Sequence, residues 1–65
     1  MRKNLMELRA GGKVVCTAEN TEQRDELLKT FRRMVRKQEE AKIVFAAYDD
    51  GTLVRSALVK QYRPR

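Results

Sequence analysis

The stretch Ala41–Lys60, AKIVFAAYDDGTLVRSALVK, decides how the rest of the chain folds. Two runs rich in β-branched and aromatic residues flank Asp50-Gly51. An Asp-Gly pair between such runs is the strongest short-range signal for a two-residue hairpin, because both turn residues must take positive φ. The turn sets an expected register. Tyr48 stands opposite Leu53, Ala46 opposite Arg55 and Val44 opposite Ala57 on one face. On the other face Ala47 meets Val54, Phe45 meets Ser56 and Ile43 meets Leu58. That second face is almost wholly apolar and demands a cover.

The cover lies upstream. A helix is expected over about Thr21 to Glu39, with Asn20 as N-cap and Gln23 completing a capping box. Glu22, Asp25 and Glu26 occupy its first turns, where the helix dipole favours negative charge. Leu27, Phe31, Met34 and Val35, with Leu28 at the margin, recur at helical spacing and form one apolar stripe. Glu39-Glu40 mark the exit.

Before the helix, Lys13–Ala18 reads as a strand from its β-branched residues and its start after two glycines. Residues 4–10 admit two readings. One is a short helix with Leu5 and Leu8 on one face. The other is a strand turned back by Gly11-Gly12, with Leu8 opposite Val15 and Met6 opposite Thr17. The strand is preferred, because so short an isolated helix is weak in water. A strand, a covering helix and a second strand make a right-handed crossover with both strands parallel; a third strand inserts between them or lies outside. The expected architecture is one small α+β domain, residues 1–65. It has a single antiparallel or mixed sheet of three or four strands, with one helix packed on one face. Gln61–Arg65 is expected to be a basic tail, which Pro64 keeps out of any sheet interior.

A chain of 65 residues buries only about 60% of its unfolded surface, so a lone core is marginal. Such chains add a disulfide, a metal or a partner subunit. One cysteine and no histidine leave neither a disulfide within the chain nor a zinc site, so a homodimer is the remaining device. Cys16 reads as a small buried hydrophobe, since a nucleophilic thiol needs a lowered pKa and, as a rule, a histidine base. No signal-peptide core or membrane-spanning run is visible, and a lone thiol suits a reducing compartment, so the expected location is the cytoplasm.

The balance of 15 Lys+Arg against 9 Asp+Glu gives a net charge of +6. In so small a domain, that excess points toward polyanions. Lys29, Arg32, Arg33, Arg36 and Lys37 fall on the polar side of the helix with no acid among them. Asp25 can pair with Lys29 and Arg36 with Glu40, which leaves Arg32, Arg33 and Lys37 uncompensated. Phosphate-backbone contacts from these five, assisted by Arg63 and Arg65, suit nucleic acid, and such contacts do not distinguish DNA from RNA. Arg2, Lys3 and Lys60 add charge near the chain ends. The acidic leading end of the helix argues against a major-groove recognition helix.

The uncovered hairpin face, with Val44, Ala46, Tyr48, Leu53, Arg55 and Val59, reads as the homodimer interface. Base stacking there wants two or three aromatics, and only Tyr48 is within the strands. The alternative is a protein-interaction module that docks on an acidic partner protein through this face or the hairpin edge. Catalysis has little footing. Asp49-Asp50 are accounted for by the turn, Glu39-Glu40 lack an acid–base partner, and Gly11-Gly12 lack the downstream residues of a phosphate loop. No enzyme, cofactor or membrane partner is expected.

Overall fold

The computed structural model describes residues 2–65. Four strands, β1 (Arg2–Ala10), β2 (Lys13–Ala18), β3 (Ala41–Asp49) and β4 (Thr52–Tyr62), form one sheet in the order β2-β1-β3-β4. Every neighbouring pair is antiparallel. The helix α1 (Thr21–Arg36) connects β2 to β3 and packs on one face. β2 and β3 therefore run parallel to each other, β1 is inserted between them, and β4 lies outside. This is a small α+β fold with an open sheet. Residues 4–10 are strand. No helix among the described residues is long and apolar enough to cross a membrane.

Both hairpin turns take the backbone that their sequences require. Asp50 and Gly51 have φ of 50° and 81°, and Gly11 and Gly12 have 58° and 79°. Two successive positive φ values twist the chain in the sense that the flanking strands already have.

The core sits between α1 and the strands β2, β1 and β3. Leu8 pairs with Ile43 and Met6 with Phe45, so alternate residues of β1 and β3 point at the helix. Leu27, Phe31 and Met34 come down from α1 to meet them, and Leu8, Ile43 and Ala41 have no exposed surface. Each such large side chain contributes about 1.5–3 kcal/mol by leaving water. Leu28 and Val35 are partly buried at the helix flank, and Cys16 is half-buried against the core. Burial pushes the Cys16 thiol pKa up, away from nucleophile chemistry.

Local hydrogen bonds set the limits of the helix. Asn20 Oδ1 accepts from the Gln23 N–H at 2.9 Å. Gln23 Oε1 accepts from the Glu19 N–H at 2.8 Å, so the reciprocal bond closes one residue ahead of the cap. The helix ends at Arg36 rather than at Glu39. Gln38 adopts a left-handed φ of 58°, its N–H donates to the Val35 carbonyl, and the Glu39 N–H donates to the Met34 carbonyl. That pair of bonds is a Schellman closure, with glutamine in the place glycine commonly takes.

The strand registers depart from simple alternation at three points. Leu8 pairs with Cys16 and Arg9 with Val14, so Val15 is left over, and Met6 meets Ala18 rather than Thr17. In β4, Leu53 pairs with Tyr48 as expected, but Arg55 pairs with Ala47, leaving Val54 over. Lys60 pairs with Ile43 and Leu58 with Val44, leaving Val59 over. These are β-bulges, all on the two edge strands, where they twist the edge and interrupt its pairing surface. Each displaces the register by one residue. Ala46 consequently meets Ser56, Phe45 meets Ala57 and Val44 meets Leu58. Leu58 thus moves off the covered face, and Arg55 moves onto the helix side. β4 also runs to Tyr62, paired with Ala41, so only residues 63–65 form the tail.

Candidate nucleic-acid interface

The amphipathic pattern that buries Leu27, Phe31 and Met34 turns the basic residues of α1 outward. Lys29, Arg32, Arg33, Arg36 and Lys37 are all exposed, and the first four share one shallow depression on the helix surface. Lys29 lies 3.7 Å from Glu26, one turn back, rather than pairing with Asp25. Arg36 makes no ion pair with Glu40. Among the described residues, Arg32, Arg33, Arg36 and Lys37 have no carboxylate partner. Four unpaired cations on about the last turn and a half of the helix and its C-cap create a field that only solvent and counterions neutralise. Arg63 and Arg65 are exposed beyond the end of β4. Lys3, expected near a loose basic end, lies in β1 and pairs with Glu19.

The opposite sheet face has no covering element. Val44, Ala46, Tyr48 and Leu53 lie on it, with Val59 in the adjoining bulge. Arg55 is the exception: the Val54 bulge turns it to the helix side, near Arg24. Val44 and Ala46 are nonetheless buried, at 6% and 2% exposure. Their cross-strand neighbours shield them, with Val44 between Glu7 and Leu58 and Ala46 between Leu5 and Ser56. The apolar surface offered to solvent on this face therefore comes from its rim: Leu53 and Leu58, at 45% and 59% exposure, Val14 opposite Arg9 at 48%, and Val59 in the bulge at 45%.

Within that face lies a polar cluster that sequence reasoning missed. The carboxylate of Glu7, a 3% exposed residue, accepts at Oε1 from Arg9 Nε (3.0 Å) and Nη2 (2.6 Å). Its Oε2 accepts from the Tyr48 hydroxyl at 2.6 Å. The link from Glu7 to Tyr48 joins β1 to β3 across the middle of the sheet. Burial pushes the Glu7 pKa up, but the bonds from Tyr48 and Arg9 outweigh it and leave the carboxyl below its ordinary value of 4.5. The same bonds raise the pKa of the Tyr48 phenol and of the Arg9 guanidinium. The one signal in the sequence was position: Glu7 shares a face with Leu5 and Arg9, opposite the apolar Met6 and Leu8, on a strand whose existence was itself in question.

The sign of the pH effect follows from the depressed pKa. Glu7 contributes stability that is full above the unfolded carboxylate value and is lost as pH falls through the lower folded value. Glu7→Gln is expected to cost about 1–3 kcal/mol at neutral pH and to flatten the fall in urea midpoint below pH 4.5. Midpoints that fall in parallel for both proteins would show that Glu7 carries no such linkage.

The arrangement brings together an unpaired cationic helix surface on one side of the sheet and an uncovered, partly apolar face on the other. Searches against known protein families, curated proteins and solved structures found no match for this chain.

Proposed function

We propose that this protein binds nucleic acid, mainly through its phosphate backbone, using the basic side of α1. The observation that carries the reading is the absence of any carboxylate partner for Arg32, Arg33, Arg36 and Lys37 among the described residues. Lys29 and the tail residues Arg63 and Arg65 extend the same field. Each phosphate contact releases condensed counterions, so binding should weaken linearly on a logarithmic salt scale. The working form in this reading is a homodimer. Two open sheet faces pack together through Leu53, Leu58 and Tyr48, with Val59 alongside, and both basic helices remain outward.

The charge reversal Arg32→Glu with Arg36→Glu tests the reading. Both side chains are exposed, so the thermal midpoint should hold. Affinity at low salt should fall by about tenfold or more, and the salt slope should drop by about 2. Affinity that survives the reversal would remove the helix face as the site.

A second reading draws on the exposure of Leu53 and Leu58. The same face would then dock an acidic partner protein, with the basic helix steering the encounter. Strand addition along β4 fits this less well, because the bulges at Val54 and Val59 interrupt the edge. Sedimentation separates the two readings: a stable homodimer uses up the sheet face, whereas a monomer leaves it for another protein.

A further inference from the structure

α1 packs over β2, β1 and β3 and leaves the helix side of β4 uncovered. A groove therefore runs beside the helix, with the α1 flank as its wall and β4 and the neighbouring part of β3 as its floor. It widens into two recesses. One, of about 420 Å³, is formed by Phe31, Val35, Arg32, Arg36, Lys60 and Tyr62, with Gln61 at its side. The other, of about 400 Å³, lies toward the start of the helix and includes Arg24, Phe45, Arg55 and Ala57.

Two properties of this groove go together. It is lined by one sign of charge: Arg24, Arg55, Arg32, Arg36 and Lys60 border it, and no carboxylate lines either recess. None of the five makes an ion pair among the described residues. Between the cations the floor is apolar, with Phe45 42% exposed and Tyr62 half-buried. Cations already lie over the rings: Arg24 is 5.8 Å from the Phe45 centroid and Lys60 is 5.8 Å from that of Phe31. The bulges built this arrangement. Without them Arg55 would face the other way, and Leu58 would stand where Lys60 now pairs with Ile43.

A polyanion satisfies the cations, but a duplex leaves the floor unused, because its base faces are stacked on one another. Unpaired bases have free faces, and base–aromatic stacking beside a cationic track is how single strands are held without sequence preference. We propose that the groove between α1 and β4 is a single-strand site, with bases against Tyr62 and Phe45 and phosphates held by Arg24, Arg55, Arg32, Arg36 and Lys60. The proposal rests on the nucleic-acid reading above and narrows it to unpaired strands. The helix is about 24 Å long, which suits about four nucleotides, the lower end of single-strand site sizes.

The test compares a labelled oligothymidine and an oligouridine of about twelve nucleotides with a duplex of equal length, by fluorescence anisotropy at fixed salt. The wild type should prefer single strands by about tenfold or more. Arg55→Glu with Lys60→Glu should lower single-strand affinity by about tenfold or more and leave duplex affinity nearly unchanged. Tyr62→Leu, apolar but not aromatic, should weaken single-strand binding by about fivefold or more, and Tyr62→Phe should restore it. Thermal melts of each variant check folding, with the exposed pair Arg55 and Lys60 carrying the decision if Tyr62→Leu unfolds. Equal affinity for both nucleic acids, with only Arg32→Glu/Arg36→Glu reducing it, would overturn the groove and leave the phosphate reading standing. No binding at low salt would overturn both. Displacement of the single strand by polyglutamate at equal charge concentration, with no excess affinity for bases, would overturn the groove in favour of an acidic protein partner.

Discussion

Leu27→Ala is expected to remove about half of the protein's stability at neutral pH. Leu27 is 1% exposed and sits in the middle of the apolar stripe that seats α1 on the central strands. Truncating a buried leucine loses its transfer energy and opens a cavity, together about 2–5 kcal/mol. A domain of this length holds only about 3–10 kcal/mol in total, at typical values per residue. The core is one layer deep, so little surrounding structure can collapse to refill the space. Far-UV circular dichroism against urea measures the effect. Val15→Ala is the control, because Val15 is 48% exposed in the β2 bulge, outside the proposed interface, and its truncation should stay within about 0.5 kcal/mol. Equal midpoints for the two variants would mean that the α1–sheet layer is not where stability resides.

Leu53→Asp with Leu58→Asp is expected to turn a dimer into a monomer and raise the dissociation constant by about a hundredfold or more. Association depends on the side chains that the open face exposes. Val44 and Ala46 lie on it but are shielded by their own strand neighbours, so substituting them would act on folding before association. Leu53 and Leu58 project further, flank the shielded centre and can be changed without opening the core. A carboxylate buried against a partner's apolar surface without a matching cation is costly, and each dimer would hold four. Sedimentation equilibrium of wild type and variant decides the matter. A wild type that stays monomeric at about 100 µM, well above a micromolar Kd, removes the homodimer from the proposed function.

The turns and the helix start were legible because their chemistry is local. Asp50-Gly51 and Gly11-Gly12 dictate positive φ without reference to anything distant, and Asn20 and Gln23 reach only their neighbours. The helix end was less legible, since it depends on Gln38 accepting a left-handed backbone that its side chain does not advertise. The bulges left no mark at all. Val15, Val54 and Val59 suit a regular strand as well as a bulge, so alternation carried the expected register past them. That error decided which face Arg55 and Leu58 belong to, and with it the separation of the groove from the open sheet face. The basic helix face was legible in full as a pattern of exposure, because helical periodicity alone separates Phe31 and Met34 from Arg32, Arg33 and Arg36.

The insertion of β1 between β2 and β3 has a consequence for how the chain folds. Arg2–Ala10 precede the helix, yet the strand that completes their pairing, Ala41–Asp49, follows the whole helix in the chain. Until that strand pairs, the first two strands form an isolated hairpin, which is marginal in water and carries Met6 and Leu8 uncovered. The central pair of the sheet is also its most distant in sequence, so its closure is the slow step that both hairpins and the helix must await. β1 is therefore expected to be among the last parts of this domain to be secured, after both hairpin turns and the helix have formed.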